Sequence, residues 1–591
     1  MVQPRFSLFI MGRPQIPSLT RSLILTLMLT LAMACRQSPS GEAQNLGPTA
    51  DAGMVVSAHA AASLVGAQVL ADGGNAIDAM VATHATLAVA YPIAGNIGGG
   101  GFLVFRRGDG MLFSLDFREK APAAAHRDVY LDADGRLLPD ASKLGFRSAG
   151  VPGSVAGLWE AHGRFGSLAW SDLWQPAVDL AARGFPVSAS QAEQLNKHAE
   201  VFAAQNPGNN YLRQAQPWQA GDTLRQADVA QTMARIRDEG PSGFYQGQTA
   251  ASIQKAAPGW IDSTDLADYR AVWRAPITVP YDSYTVVSMA PPSSGGIALA
   301  QLLAMVEPLP LQQWGHNSSR TVHALAEAER RVYADRARHL GDPDFWAVPV
   351  DSLLDSAYLS QRMADFDPSQ ATLSSAVEAG QFGPARAATA ESDQTTHYSI
   401  VDRLGNAVSV TTTINGRYGS KVFVDGAGFL LNNEMDDFSA KPGVPNQFGL
   451  IGGEANAIAP GKRMLSSMTP TIVEKNGKLF AVVGSPGGAR IITTVFQTVL
   501  NLVEFDMTMA DAVQAPRVHH QQWPDSIRIE VGALPDSTMA ALRAKGHAVY
   551  ANGSMGRVDA IRIMPDGRME GGADPRGDDR AVGVQIPDLA P

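Results

Sequence analysis

The segment Gln394-Thr395-Thr396-His397-Tyr398-Ser399 sets hydroxyls and an imidazole directly after a polar stretch, Gly380 to Gln394, rich in Ala, Gly, Ser and Gln. A threonine hydroxyl is a weak nucleophile until a base takes its proton. An α-amino group on the same residue is a suitable base, with a reference pKa of about 7.7–8.0. An internal threonine lacks that amine. Taken alone, the Thr395-Thr396 pair reads as ordinary strand residues. Other groups offer less. The run Gly95-Asn96-Ile97-Gly98-Gly99-Gly100-Gly101 follows a helical pattern and opens a strand, the reverse of a phosphate-binding loop, and reads as close backbone packing. His519-His520 lacks the ligand spacing of a zinc site and reads as structural, while His397 reads as support for the site and need not be its base.

The elements that must position these residues follow from pattern. Ala60 to Ala71 and Ala76 to Tyr91 read as Ala-rich buried helices, broken at Asp72-Gly73-Gly74-Asn75 and stopped by Pro92. Phe102 to Phe105 and Met111 to Phe117 read as strands, and Thr321 to Leu340 as a scaffold helix ended by Gly341-Asp342-Pro343. Gly380 to Gln394 reads as an exposed, mobile segment. After it, Thr396 to Asp402, the turn Arg403-Leu404-Gly405-Asn406 and Ala407 to Ile414 form a Val/Thr-rich hairpin. Further strands are expected at Pro470 to Val473, Leu479 to Val483, Ile527 to Val531 and Asp559 to Ile563, with a helix near Ile491 to Phe505.

Composition bounds the possibilities. The chain has 591 residues, 45% hydrophobic and 18% charged, enough for a large core. Its formal charge of −10, without a Lys/Arg run, argues against nucleic acid and for small substrates. Arg5, Arg13 and Arg21 precede an apolar run from Ser22 to Met33 that ends in Ala32-Met33-Ala34-Cys35, the pattern of an export signal over residues 1–35. Cys35 is the one cysteine, which excludes an internal disulfide, and its place leaves lipidation and soluble release both open. Residues 36–52 read as a flexible tether.

With its surroundings, the Thr395 segment resembles the γ-glutamyltranspeptidases of the N-terminal-nucleophile hydrolase superfamily. The resemblance runs from about Gly53 to the carboxyl terminus. It includes Asp116-Phe117-Arg118-Glu119, Pro291-Pro292-Ser293-Ser294-Gly295-Gly296, Leu431-Asn432-Asn433-Glu434-Met435-Asp436-Asp437-Phe438, Ser466-Ser467-Met468 and Gly484-Ser485-Pro486-Gly487-Gly488. It implies an α/β chain with a four-layer αββα sandwich, in which a large subunit (53–394) and a small catalytic subunit (395–591) form one domain and pair as a heterodimer. Thr395 would cut the chain at Gln394 by an N-to-O acyl shift, then act as nucleophile with its new α-amine as base.

By the same resemblance Thr413 supports the nucleophile, and Gly487 and Gly488 form the oxyanion hole. Arg118, Ser466 and Ser467 hold the α-carboxylate of a γ-glutamyl group, while Asp437, Glu434 and Asn415 hold its α-ammonium. Pro442 to Gly453 resembles the lid over that pocket, with Phe448 where many bacterial members carry tyrosine. The implied activity is γ-glutamyl transfer from glutathione or a related donor to water or to an amino acid or peptide acceptor. No cofactor or metal is implied, and the expected location is the periplasm or the envelope of a bacterium, with membrane attachment only through a lipid on Cys35. Two alternatives stay open: a β-lactam side-chain acylase or poly-γ-glutamate hydrolase of the same family, and an uncleaved envelope-binding lipoprotein.

Overall fold

The structure is a computed structural model that describes residues 45–206, 209–213, 216–382, 395–439 and 453–586. Cys35, Gln394, Phe448 and most of the polar segment before Thr395 lie outside the described residues.

Two seven-stranded antiparallel sheets carry the fold. One runs Arg580–Val584, Gly53–Ser57, Thr395–Asp402, Ala407–Thr413, Gly100–Arg106, Leu112–Asp116 and Val272–Arg274 across its width. The second runs Thr49–Ala50, Met569–Ala573, Asp559–Ile563, Lys478–Val483, Thr471–Lys475, Tyr284–Ser288 and Ile277–Tyr281. Alternation along each strand divides the core. Val55, Leu103, Phe105, Ile400 and Val410 pack with the helices Ala60–Ala71, Ala76–Ala90, Ser154–Phe165 and Trp170–Arg183. Their neighbours Met54, Val56, Phe102, Val104 and Val401 instead meet Val286, Ile472, Val473 and Val482 of the second sheet, whose far side is covered by Gly295–Val306 and Arg490–Val503. The layers are therefore αββα. Because both faces of each central strand are buried, Thr395–Asp402 is buried at every residue and does not alternate as an amphipathic strand would.

The hairpin forms where its sequence expects it, as Thr395–Asp402 and Ala407–Thr413. Asp402 fixes its turn by accepting from Leu404 N at 2.8 Å and Asn406 N at 3.0 Å, with Gly405 at φ 77°. The helices Ala60–Ala71, Ala76–Ala90 and Ser319–His339 match their expected spans to within two residues, and Asn75 caps the second through a capping box with Asp78. One feature differs. Thr49–Ala50, placed by composition in the tether, pairs with Met569–Ala573, because the unpaired edge of that strand offers hydrogen bonds that composition does not reveal. Ile527–Glu530 belongs to a separate three-stranded sheet with Val518–His519 and Val549–Asn552.

Candidate active site

Thr395 begins a central strand of the first sheet and sits opposite Thr413 across the antiparallel ladder. The glycine run buttresses this pair from below. A Cβ on Gly99 would lie 2.0 Å from the Thr413 carbonyl oxygen and one on Gly101 2.5 Å from that of Thr411, so the glycines permit close backbone approach, as their position in sequence suggests. Asn96, within the same run, donates from Nδ2 to Thr412 Oγ1 and to Thr413 O, both at 3.1 Å, and accepts from Gly99 N at 3.0 Å. Nothing in the sequence reading marked Asn96. The signal available was an amide inside a glycine loop, which must find partners once buried.

His397 lies beneath the site. Its Nδ1 meets Thr411 Oγ1 at 2.9 Å and its Nε2 meets Ser399 Oγ at 3.1 Å, while the ring fills the space a Cβ on Gly484 would need. Burial pushes its pKa down to about 3, so the ring is neutral and supports the strand. His519 and His520 occupy separate hydrogen-bond networks, the first with Thr493 and Gln521, the second with Asp525 and Arg330.

One narrow pocket is lined by Thr395, Thr413, Asn415, Arg118, Glu434, Asp437, Ser466, Ser467 and Gly488, together with Met468 and Ile491. It gathers all the expected site residues that the structure describes except Gly487, which faces the neighbouring cavity. Arg118 is fully buried, and its backbone is pinned by Asp116 Oδ1 accepting from Arg118 N at 3.0 Å and by Tyr269 Oη donating to Arg118 O at 2.6 Å. Its guanidinium pairs with Glu434 through Nη1 and with Asp437 through Nη2, and Nη2 also donates to Leu465 O at 3.2 Å. Glu119 Oε2 stands 3.7 Å from Nη1. Burial, against the opposing pull of Arg118, raises the carboxyl of Glu119 to about 8 and that of Asp437 well above the usual range.

Asp437 Oδ1 and Asn415 Oδ1, both buried in this pocket, have no hydrogen-bond partner among the described residues. Asn415 holds a left-handed φ of 68° and anchors its other end through Nδ2 to Asn433 O at 2.8 Å. On the opposite wall two hydroxyls already accept a hydrogen bond each. Ser466 Oγ accepts from Met468 N at 3.2 Å, and Ser467 Oγ from Arg336 Nη2 at 3.1 Å, which leaves each hydroxyl proton available to donate. Arg336, buried on the Ser319–His339 helix and tied to Ser294 Oγ at 2.9 Å, is a second residue that sequence reasoning missed. An arginine in a long helix carries no local mark of where its tip will reach.

Gly487 and Gly488 adopt φ of 138° and 59° in the turn that feeds the Arg490–Val503 helix, with Arg490 N donating to Gly487 O and Ile491 N to Gly488 O. That backbone requires glycine, and the helix amino terminus adds positive potential beside it. The pocket therefore presents a hydroxyl nucleophile, a guanidinium with flanking hydroxyl donors, a set of carboxylate and amide acceptors, and a glycine turn fit to receive an oxyanion. Among the described residues the one His/carboxylate cluster with metal-ligand spacing, His323, Glu327 and His547, lies apart from it. There the two rings are hydrogen-bonded to each other at 2.7 Å and Glu327 is held by Arg330 and Arg331.

Two stacked antiparallel sheets between helical layers, with a threonine at the head of a central strand and a glycine turn beside it, define an N-terminal-nucleophile hydrolase framework. The family model described as Gamma-glutamyltranspeptidase matches residues 62–584, and the chain belongs to that family. It is 47% identical to a glutathione hydrolase proenzyme of Pseudomonas aeruginosa, over 95% of this chain and 98% of the relative. To a glutathione hydrolase proenzyme of Escherichia coli it is 45% identical, over 90% and 92%. A cephalosporin acylase from Bacillus halodurans shares the fold at a TM-score of 0.80 and 24% identity, over 93% of this chain and 99% of that one.

Proposed function

We propose that the chain is a self-processing γ-glutamyltransferase and glutathione hydrolase. The observation that carries this is the pairing, in one pocket with Thr395, of the Arg118 guanidinium with two unpartnered buried acceptors, Asp437 Oδ1 and Asn415 Oδ1. A buried acceptor without a donor is costly, about 1–3 kcal/mol each, and an α-ammonium supplies the missing donors. An α-amino acid head group is the ligand whose two charges fit both walls at once.

Arg118 pairs with Glu434 and Asp437 across this pocket. A γ-glutamyl group exchanges these pairs: its carboxylate takes the guanidinium and the Ser466 and Ser467 hydroxyls, while its ammonium takes the released carboxylates and Asn415. The guanidinium keeps an anionic partner throughout, so the exchange avoids the penalty of opening an ion pair without replacing it.

Maturation begins with Thr395 Oγ1 attacking the carbonyl carbon of Gln394. The peptide C–N bond breaks, an ester forms, and water hydrolyses it, leaving Gln394 as a carboxylate and Thr395 with a free amine. That amine then takes the Oγ1 proton as Oγ1 attacks the γ-carbonyl of the donor. The backbone N–H groups of Gly487 and Gly488 receive the oxyanion, and the leaving amine departs with the proton. Water or an acceptor amine attacks the γ-glutamyl ester to complete the cycle. The large and small subunits, 53–394 and 395–591, remain together because the small subunit supplies strands to both sheets.

Export is part of this reading, supported by the Arg5, Arg13 and Arg21 leader, with Cys35 as the point of lipid attachment if the protein stays at the envelope. The test is to sequence the amino terminus of the smaller fragment of the purified protein and to measure glutathione turnover. A fragment starting Thr395-Thr396-His397 and active on glutathione is expected. A stable, inactive single chain would return the choice to an envelope-binding protein.

A further inference from the structure

The narrow glutamyl pocket does not stand alone. A second cavity of about 480 Å3, within the ~300–1,000 Å3 typical of ligand sites, shares Thr395 as a wall. The two glycines divide between them: Gly488 lines the narrow pocket and Gly487 the larger one. The γ-carbonyl under attack must therefore sit at the partition. With the glutamyl head group in the narrow pocket, the amine on the other side of the scissile bond projects into the larger cavity.

That cavity carries arginines, but most are committed. Arg557 donates to Asp579 Oδ2 from Nε at 2.9 Å and Nη2 at 2.6 Å, and also meets Tyr91 Oη. Arg576 is held by Glu530 at 2.6 and 2.7 Å and by Asp574 at 3.1 Å. Arg417 differs. It is half-buried, donates once, from Nη1 to the neutral Gln194 Oε1 at 3.3 Å, and has no ion-pair partner among the described residues. A guanidinium has five N–H donors in a fork that matches a carboxylate. It is also carried by the turn that carries Asn415: with Asn415 at φ 68° and Tyr418 at φ 60°, this turn presents Asn415 to the glutamyl pocket and Arg417 to the larger cavity.

We propose that the larger cavity binds the peptide or amino acid released from, or added to, the γ-glutamyl group, and that Arg417 pairs with its carboxylate. This rests on the γ-glutamyl reading above. Arg417 is thereby a specificity-determining residue: it favours donors whose leaving group is an anionic peptide, such as the cysteinylglycine of glutathione, and acceptors that keep a free carboxylate. The chemistry stays balanced, since the departing amine takes the proton from the Thr395 ammonium and an incoming amine returns one to it.

The test uses the processed enzyme, wild type and with Arg417→Gln or Arg417→Lys. Donors are glutathione and γ-glutamyl-p-nitroanilide, whose leaving amine is uncharged. Acceptors are glycylglycine and glycylglycinamide. The ratio of the glutathione KM to the anilide KM should rise about tenfold in Arg417→Gln, the preference for glycylglycine over its amide should fall by a similar factor, and Arg417→Lys should recover part of both. An equal change for both donors, or no change in either ratio, overturns the assignment to Arg417 while leaving the γ-glutamyl reading intact. Failure of the wild type to turn over either donor would remove that reading and this inference with it.

Discussion

Thr395 and Thr413 are cross-strand partners in the ladder between Thr395–Asp402 and Ala407–Thr413. Thr413 in turn accepts from Asn415 N through Oγ1 at 2.7 Å, so the proposed nucleophile, its proposed support and the proposed acceptor for the substrate ammonium follow one another along a short path. Strand pairing fixes such positions more tightly than a loop does.

Thr395→Ala removes the hydroxyl proposed to carry both cleavage and catalysis. The chain should remain uncut on a denaturing gel, and glutathione turnover should fall by roughly 10^4-fold or more. Thr395→Ser, which keeps the hydroxyl, should still be processed.

Asp437→Asn keeps the shape of the side chain and removes its charge. The KM for γ-glutamyl substrates should rise by about 2–3 kcal/mol, or roughly 30–150-fold, the worth of a buried charge-assisted hydrogen bond. A glutaryl substrate, which has no ammonium, should be affected far less. Similar losses on both would argue against ammonium recognition by Asp437 and favour an acylase.

Glu119 supplies a pH dependence. Its carboxyl, raised to about 8 mainly by burial, is neutral at pH 7 and ionises above pH 8, adding a negative charge 3.7 Å from Arg118 Nη1. That charge competes with the substrate carboxylate, so KM should rise as pH climbs through about 8. Glu119→Gln should remove the rise. The folded pKa lies above the ordinary value of 4.5, so the group's contribution to stability is greatest below pH 4.5 and is lost as pH climbs toward 8.

Gly487→Ala tests the oxyanion turn. A methyl has room there, the nearest atom being Gly556 Cα at 3.4 Å, but φ of 138° is foreign to L residues. The turn should shift, lowering kcat by ~10–1,000-fold with little change in KM, as steady-state kinetics would show.

Asn96→Ala removes the donors to Thr412 Oγ1 and Thr413 O and the acceptor for Gly99 N, while Thr412 Oγ1 keeps its bond to Gly100 O. Thermal unfolding of the processed enzyme should show a loss on the order of 3 kcal/mol. Self-cleavage should slow in parallel if Thr413 moves.

The sequence by itself determined the local pieces. Helix caps, turn residues and β-branched runs act over a few positions, so the Thr395 hairpin, the Ala-rich helices and the glycine turns were legible to within a residue or two. Ordered blocks such as Asp116-Phe117-Arg118-Glu119 and Ser466-Ser467-Met468 also carried the family, the αββα fold and most of the pocket. Only the tertiary structure decided what those blocks do to one another. Arg118 meets Glu434 and Asp437 across 316 and 319 residues, and Arg336 reaches Ser467 across 131. Asn96 is made a support for Thr413 by the sheet, and Thr395 is made the wall of two cavities by the stacking of strands and helix. Such contacts depend on which layers come face to face, a property of the whole packed chain, whereas propensity and spacing report on the next few residues only.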